Sequence, residues 1–344
     1  MKKSILKLAV FLAVFVLAFF IVGKIMNKDH DNLTMDLAPA SLPVVSMMLD
    51  GREYNHLHGY TQAVDVAFER DTVTILGESR DTDFVIDTYG REIQEVSIEV
   101  RSADGSRLIE NTVLSGLSRT GNIIQGTVAL KDLIEKDTDY SLCFVLQMDE
   151  GEKACYYTRV IWSEGLHVSE KLEYVTDFHE RLYDKEAAKE LTKYLETNSR
   201  LEDNSSFHKV NIHSSFKQIT WGDLPVQEIS APVVSLTELA SQTASFLMDY
   251  VVSTTEGKKT VYYLVEEHYR VRYTTDRMYL LDYERTMTQV PEAGQIYAND
   301  KLLLGITGTD IPMVESEDGN TVVFEVANRL FSYEATENKL IVIF

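Results

Sequence analysis

An uninterrupted apolar run from Leu8 to Gly23 constrains this chain more than any other feature of its sequence. The run has about 16 residues, or about 20 with the apolar residues around the flanking lysines, and a membrane-spanning helix needs roughly 17–25. Residues 1–28 contain no acidic residue and five lysines, namely Lys2, Lys3, Lys7, Lys24 and Lys28. Lysines that precede such a helix favour a cytoplasmic N-terminus. The sequence therefore predicts a cytoplasmic tip and a single-pass signal-anchor over residues 1–28, with the rest of the chain outside the cytoplasm.

A cleaved secretory signal is the alternative, because the apolar region of such a signal has roughly 7–15 residues. Cleavage also requires small residues soon after the run, and residues 21–24 include only Gly23. The Ala-Pro-Ala triplet at residues 38–40 lies too far downstream. These observations favour an uncleaved anchor, followed by a polar tether over residues 29–41.

The charge of the remaining chain limits its partners. Without the five lysines of residues 1–28, 28 basic residues face 54 acidic ones, a net charge of about −26. Phosphate backbones and anionic lipid surfaces repel a body of this charge, so nucleic acid is excluded as a partner. Membrane contact is expected only through the N-terminal helix. A basic protein partner or divalent cations stay open as alternatives for a body of this charge. The short lysine-rich leader and the sparse cysteines fit a bacterial cell envelope, so a protein or glycan of that envelope is the expected partner.

Short apolar alternations separated by turn residues fill residues 42–165. The predicted strands are 44–49, 73–76, 84–86, 96–100, 108–113, 123–128, 140–148 and 154–162. About eight short strands within roughly 120 residues are typical of a β-sandwich. The closing pair, Tyr140-Ser-Leu-Cys-Phe-Val-Leu and Ala154-Cys-Tyr-Tyr-Thr-Arg-Val, resembles the last two strands of immunoglobulin-like and fibronectin type III modules. The resemblance implies an immunoglobulin-like architecture for this segment.

The two cysteines of the chain, Cys143 and Cys155, flank the turn at residues 149–152. A hairpin centred there brings them nearly opposite each other, and outside the cytoplasm they could form a cross-strand disulfide. The alternative is that both are small buried core residues. A register slip by one residue would place them on opposite faces of the hairpin.

A change of periodicity marks a second folded segment over residues 166–290. Ser169 is expected to cap one helix and Asp184 a second, and each helix has apolar residues at helical spacing. Strands are predicted at 207–212, 216–221, 246–252, 261–273 and 279–287. Helices followed by a long antiparallel meander make an α+β domain. This layout resembles the cone-shaped sheet of the nuclear-transport-factor-2-like superfamily.

The long strand over residues 261–273 carries the candidate ligand-binding site. Its polar face consists of Tyr262, Leu264, Glu266, His268, Arg270 and Arg272. In a conical sheet such a face can line a ligand pocket, with Glu266 and His268 as acid–base candidates and Asp282, Glu284 or Arg285 next door. The alternative is a solvated face with cross-strand ion pairs. The opposite face, rich in Val and Tyr, is expected to pack on the helices.

Residues 291–344 are expected to form a separate β segment. Strands are predicted at 301–306, 322–326, 330–333 and 340–344. Asp318-Gly-Asn-Thr-Val-Val-Phe-Glu-Val followed by Asn328-Arg-Leu-Phe-Ser-Tyr-Glu resembles the opening blade of a β-propeller. A single blade cannot bury both of its faces. Either the chain is an N-terminal fragment of a larger propeller-bearing protein, or the last strands dock on the preceding sheet.

Other candidate sites are weaker. His56 and His58, with Asp65, form the most metal-like group, but dedicated sites usually need three convergent ligands, so a loop or exposed strand end is favoured. Residues 81–83 and 315–319 are predicted as turns, since neither reproduces a calcium-binding loop. No G-x-S-x-G, phosphate-binding loop or dinucleotide-binding motif occurs in the sequence.

The sequence as a whole thus predicts a mainly β protein with an α+β middle domain, no cofactor and no metal. The leading functional hypothesis is a non-catalytic, membrane-anchored binding or assembly protein of a bacterial cell envelope. The alternative is a small-ligand receptor or enzyme with its site in the sheet of residues 207–290, around Glu266 and His268.

Overall fold

The computed structural model describes residues 42–67, 69, 71–131, 133–198, 200, 206–290, 297–298, 301–302, 311–326, 329–337 and 339–343, and also residues 7, 11, 12, 15–19 and 22. The chain divides into two compact units, Met1–Ser41 and Leu42–Phe344. The described residues of the first unit are helical. Within the part of the chain that the structure describes, no helix has the length and apolar character needed to cross a membrane. The predicted signal-anchor lies mostly outside the described residues and the tether wholly outside them, so both stay predictions.

Two β-sheets pack face to face in the first part of the second unit. The first sheet consists of β1 (Val44–Leu49), β2 (Arg52–Leu57), β5 (Asp81–Asp87), β8 (Ser118–Thr120) and β9 (Ile123–Ala129), in the order β2-β1-β5-β9-β8. The second sheet consists of β3 (Gly59–Tyr60), β4 (Val73–Ile75), β6 (Ile93–Ser102), β7 (Leu108–Val113), β10 (Asp139–Met148) and β11 (Lys153–Ile161), in the order β3-β11-β10-β6-β7, with β4 parallel to β11. Phe84 and Phe144, one from each sheet, have ring centroids 4.9 Å apart, so apolar side chains fill the space between the sheets.

Most strands predicted in this region are confirmed, and β6 pairs with β7 and β10 with β11, as the hairpin patterns indicated. One prediction is wrong. Residues 81–83 begin β5 instead of forming a turn, because Asp83 pairs with Thr127 of the neighbouring strand. The strand end expected at His56 and His58 is confirmed, because β2 ends at Leu57 and His58 is exposed. The predicted turn at residues 50–51 folds β2 back onto β1.

A third sheet forms the next part of the second unit. Its strands are β12 (Lys209–Asn211), β13 (Gln227–Glu228), β14 (Val233–Leu239), β15 (Thr243–Glu256), β16 (Lys259–Tyr273) and β17 (Met278–Gln289), in the order β12-β17-β16-β15-β13, with β14 also paired to β15. The helices are α1 (Val168–Arg181), a 3₁₀ helix (Ala187–Tyr194) and α2 (Phe216–Ile219). The long meander β15–β16–β17 confirms the three long strands of the prediction.

Helix α1 packs against the third sheet through a face that includes Val175 and Phe178. It begins at Val168, one residue before the predicted cap Ser169, because the N-cap residue is His167, whose backbone is left-handed with φ 49°. The His167 ring stacks on Tyr273 at 3.8 Å, which fixes this turn. The second predicted cap is confirmed, since Asp184 Oδ1 accepts hydrogen bonds from two backbone N–H groups at the start of the 3₁₀ helix.

The strand predicted over residues 216–221 is wrong, because Phe216–Ile219 is helix α2. Ser215 caps this helix by accepting a hydrogen bond from the backbone N–H of Gln218 at 3.3 Å. The Thr220 hydroxyl donates back to the carbonyl of Phe216 at 2.8 Å. These short-range bonds offset the β preference of the aromatic and branched residues in the segment.

The first two sheets and the third sheet share one continuous hydrophobic core. Strand β14 packs against β2 and β4. Asn55, fully buried at a bulge of β2 with φ 50°, joins the two regions. Its Oδ1 accepts the backbone N–H of Leu236 at 2.7 Å, while its Nδ2 donates to Val73 O and Thr74 Oγ1. The two parts of the chain therefore behave as one packed body.

A fourth sheet ends the described chain. It consists of β20 (Met313–Glu315), β21 (Thr321–Val326), β22 (Arg329–Glu334) and β23 (Lys339–Val342), in sequence order. Its small separate core is centred on Phe324 and Phe331, whose rings stack 5.5 Å apart. Three of the predicted strands correspond to β21, β22 and β23. The fourth predicted strand begins as β19 (Lys301–Leu302), which pairs with β18 (Tyr297–Ala298) and not with the fourth sheet, and residues 303–306 lie outside the described residues.

Candidate functional site

The predicted site residues lie on the open face of the third sheet, opposite helix α1. Along β16, Glu266, His268, Arg270 and Arg272 alternate with inward-facing residues, and their partners on β15 are Asp249, Leu247, Ser245 and Thr243. The predicted neighbour Arg285 is not part of this face, because it pairs with Glu267 on the buried side. The predicted pocket face is thus the exposed face, while the helix covers the other.

One end of this open face is rich in arginine. The guanidinium carbons of Arg272 and Arg277 lie 4.9 and 4.3 Å from the centroid of the Tyr279 ring. Arg270 lies two residues before Arg272 on the same face. None of these three arginines makes an ion pair with another described residue, although the chain has a large excess of acidic residues. We call Arg270, Arg272 and Arg277, together with Tyr279, the arginine patch.

Two acidic side chains border the arginine patch. Asp276 lies in the turn before Arg277, and Asp282 is the cross-strand partner of Arg270. One oxygen of the Asp282 carboxylate lies 3.9 Å from Nδ1 of His268, so Asp282 neighbours both Arg270 and an imidazole. The patch therefore has only a small net positive charge, and its character comes from three guanidinium groups without a close carboxylate.

The other end of the open face is acidic. Asp249 and Glu266 are directly opposed on β15 and β16. Burial and the charge of Glu266 raise the pKa of Asp249 to about 6. Burial, followed by the charge of Glu325, raises the pKa of Glu266 as well. Like charges at this spacing destabilise a sheet, so this end of the face costs stability at neutral pH.

A buried charged cluster lies on the inward face of the same sheet, and the sequence prediction missed it. At its centre is the fully buried carboxylate of Glu267. Glu267 Oε2 accepts hydrogen bonds from His179 Nδ1 at 2.8 Å and from the Tyr269 hydroxyl at 2.7 Å, and Oε1 accepts one from the Tyr283 hydroxyl at 2.9 Å. On the other side, His179 Nε2 lies 3.1 Å from a carboxylate oxygen of Glu228. Helix α1 is thereby bound directly to β13 and β16, and through Glu267 to Tyr283 of β17.

Arg285 supplies the second positive charge of the cluster. Its guanidinium is fully buried, lies 4.0 Å from Glu267 and donates to the carbonyls of Ile219 and Gln218, each at 2.9 Å. It also lies 3.5 Å from the centroid of the Trp221 ring, where the ring face attracts a cation. Helix α2 is therefore fixed to β17 through the last carbonyl groups of the helix.

The two ring nitrogens of His179 both face carboxylates, and only the imidazolium can donate to both. Burial opposes a charge here, but the hydrogen bonds and charges of Glu267 and Glu228 outweigh it and raise the pKa of His179. Burial likewise opposes the charge of Glu267, yet His179, Arg285 and Tyr269 together lower the pKa of that carboxyl. Two positive and two negative groups balance, so the cluster binds helix to sheet without a net charge.

The cluster predicts a defined pH dependence of stability. The ordinary pKa of Glu267 is 4.5, and its folded-state pKa is lower. Its contribution to stability is therefore complete above pH 4.5 and is lost as the pH falls through the lowered pKa. His179, with an ordinary pKa of 6.5, contributes stability below that value that is lost as the pH rises through its raised pKa. We expect His179→Gln to destabilise the protein most between these two values, by about 1–3 kcal/mol. Urea unfolding across a pH series measures this, with the exposed His58→Gln as the control; a pH-independent loss would contradict it.

The remaining candidate residues do not converge. Nε2 of His56 lies 3.5 Å from a carboxylate oxygen of Glu53. Burial lowers the pKa of His56, and the charge of Glu53 opposes this only in part. Within the described ranges, no group of three His, Cys, Asp or Glu side chains is placed to hold a metal ion. Cys143 and Cys155 are free thiols on β10 and β11. The predicted disulfide therefore stays a prediction.

Comparison with known proteins adds no family. No protein-family model matches the chain, and no curated protein matches it.

Proposed function

We propose that this chain is a binding or assembly protein without a catalytic role, held outside the cytoplasm of a bacterial cell by an N-terminal membrane-spanning segment. The apolar run, its flanking lysines and the acidic body support this proposal. We further propose that the first two sheets are an immunoglobulin-like module, that the third sheet with its helices has a nuclear-transport-factor-2-like layout, and that the fourth sheet is a propeller-type blade.

The arginine patch is the observation that supports a binding role most directly. On a protein with many more carboxylates than cationic groups, an arginine normally forms an ion pair with one of the carboxylates, because the two groups match in geometry and charge. Arg272 and Arg277 instead rest against Tyr279, which orders their side chains, and neither makes an ion pair with another described residue. Ordered donors without an internal acceptor are suited to an external acceptor. The partner that they fit is an anionic group on a glycan or a protein of the envelope.

A binding titration with a carboxylated glycan tests this proposal. Full-length protein in detergent is titrated with polygalacturonate at about 0.15 M salt, where the Debye length of about 8 Å limits repulsion of the polymer by the acidic body. Neutral dextran serves as the uncharged probe. We expect saturable binding to polygalacturonate only, weakened at least about tenfold, or about 1.4 kcal/mol, by Arg272→Gln or Arg277→Gln. The loss arises because each substitution removes a charged donor and leaves the polymer carboxylate unpaired.

The matched control is Arg119→Gln, which removes the same charge from the exposed edge strand β8. It is expected to leave the affinity unchanged within about twofold, since a single distant surface charge is largely screened. An equal loss in all three variants would show that only net charge matters and would remove the patch as a site. A receptor or enzyme centred on Glu266 and His268 would instead lose ligand-dependent thermal stabilisation in His268→Ala.

A further inference from the structure

The two cysteines lie on the same face of the second sheet, offset by two positions. The register pairs Cys143 with Tyr157 and Val145 with Cys155, so the two thiols are diagonal neighbours across the β10–β11 hairpin. This face points away from the core between the sheets, which contains Phe144 and Tyr156 instead. Both side chains belong to one small apolar cluster on this face, so they pack near each other.

A small satellite core surrounds the thiol pair. It contains Val66, Cys143 and Tyr157, with Cys155 at its half-buried margin. The hydroxyl of Tyr157, which lies opposite Cys143 in the hairpin, accepts a hydrogen bond from the backbone N–H of Val64 at 3.1 Å. The loop after β3 is therefore tied to this hairpin through Tyr157 and packs on Cys143 through Val66, while Cys155 stays half-buried.

We propose that Cys143 and Cys155 form a reversible thiol–disulfide pair, in which Cys155 is the attacking thiol and Cys143 the resolving thiol. The proposal does not depend on the arginine patch, but it rests on the extracytoplasmic location given under the proposed function. The oxidant is a low-molecular-weight disulfide or an exposed protein disulfide, because an extracytoplasmic compartment permits such exchange.

The reaction consists of two exchange steps. The Cys155 thiolate attacks one sulfur of the oxidant disulfide, forms a mixed disulfide and displaces one thiolate. Cys143 then loses its proton and attacks the Cys155 sulfur, which forms the internal bond and releases the second thiolate. Two electrons pass to the oxidant, and the two protein protons end on the two released thiols, so atoms and electrons balance.

The surroundings of the two sulfurs support this division of roles. Cys155 is half-buried while Cys143 is buried, so an oxidant reaches Cys155 first. The neighbouring Cys143 thiol, followed by Tyr157 and Lys153, lowers the pKa of Cys155 to about 6, against burial and the charge of Glu99. The interaction with Cys155, followed by burial, raises the pKa of Cys143. A half-buried thiol that ionises near neutral pH is the one that reacts first.

The diagonal register also predicts that the disulfide is labile. Diagonal neighbours in an antiparallel sheet lie roughly 7–8 Å apart, whereas the Cα atoms of bridged cysteines are usually about 4.4–6.8 Å apart. Closing the bond therefore requires a small backbone shift, and strained disulfides are reduced easily. That shift would be transmitted to the loop after β3 through Tyr157 and Val64.

Intact mass after treatment with oxidised glutathione tests the proposal in full-length protein in detergent. Wild type is expected to lose the mass of two hydrogen atoms, and low concentrations of dithiothreitol should restore the original mass without denaturant. Cys143→Ser is expected to gain one glutathione, because no thiol resolves the mixed disulfide. Cys155→Ser is expected to react at least about tenfold more slowly, because Cys143 is buried.

Partial alkylation of the wild type keeps the test independent of how well the variants fold. Limiting iodoacetamide followed by peptide mapping should modify Cys155 before Cys143. Equal alkylation of the two, or a wild type that stops at the mixed disulfide, would overturn the proposal. Two thiols that fail to react with glutathione while the protein is folded would identify them as inert core residues and overturn it as well.

Discussion

Glu267→Gln is expected to lower the free energy of unfolding by about 3–5 kcal/mol, because removing one partner of a buried ion cluster leaves the remaining charges uncompensated. Glutamine keeps the shape of the side chain but replaces a fully buried carboxylate that accepts from His179, Tyr269 and Tyr283. The imidazolium and the buried Arg285 guanidinium would then lack their common counter-ion. Urea unfolding followed by tryptophan fluorescence measures the change, since Trp221 lies against Arg285.

The matched control is Glu266→Gln, one residue earlier on the same strand. Glu266 points to the open face, where it opposes Asp249 and is near Glu325. Removing its charge relieves like-charge repulsion, so the expected change is within about 0.5 kcal/mol of zero or slightly stabilising. A similar loss for both glutamates would show that the buried network is not the source of the effect.

Most of the β architecture could be predicted because its signals are local. Alternation of apolar and polar residues together with turn residues specified the hairpin of β10 and β11 and the long strands β15–β17. These signals depend on residues within a few positions of each other. The two faces of β16 followed from the same alternation. What the alternation did not specify was that the face covered by the helix would also hold a buried charged residue, Glu267.

The buried cluster shows why part of the site escaped prediction. Glu267 occupies an inward position between Val265 and Tyr269, and a charged residue at such a position was a visible signal of a buried partner. Its partners, however, come from distant parts of the chain, with His179 88 residues earlier in the sequence. No local pattern connects an imidazole on a helix to a strand so far away. Only the packing of α1 on the sheet brings them together.

The arginine patch was predicted in part for a related reason. Arg270 and Arg272 were recognised from the strand pattern, but Arg277 belongs to the following turn and was not. The register irregularity between Arg270 and Val271 sets Tyr279 opposite Arg272. Because bulges of this kind depend on the packing of both strands, the sequence alone did not place Arg277 beside the same ring.

Asn55 connects the first two sheets with the third sheet through hydrogen bonds to backbone groups of both. The backbone N–H of Leu236 lies next to an irregularity in the pairing of β14 with β15, and the Asn55 side chain accepts its hydrogen bond. Both residues are fully buried, so water cannot replace this bond. The other end of the Asn55 amide holds the carbonyl of Val73. A single side chain thus satisfies polar backbone groups on β4 and β14 at once.

Asn55→Gly is expected to destabilise the protein by about 2–3 kcal/mol, because it leaves buried backbone groups of Leu236 and Val73 unsatisfied. Glycine adopts the left-handed backbone of this position without strain, so the loss comes from the missing amide together with the greater freedom of glycine in the unfolded chain. Asn55→Ala should cost a further 1–2 kcal/mol or so, since alanine must also adopt φ 50°. Urea unfolding of the full-length protein measures both changes. Equal losses for Asn55→Gly and Asn55→Ala would mean that the backbone relaxes at the bulge. The control is the exposed Asn111→Ala. If neither Asn55 variant loses more stability than this control, Asn55 does not join the two regions.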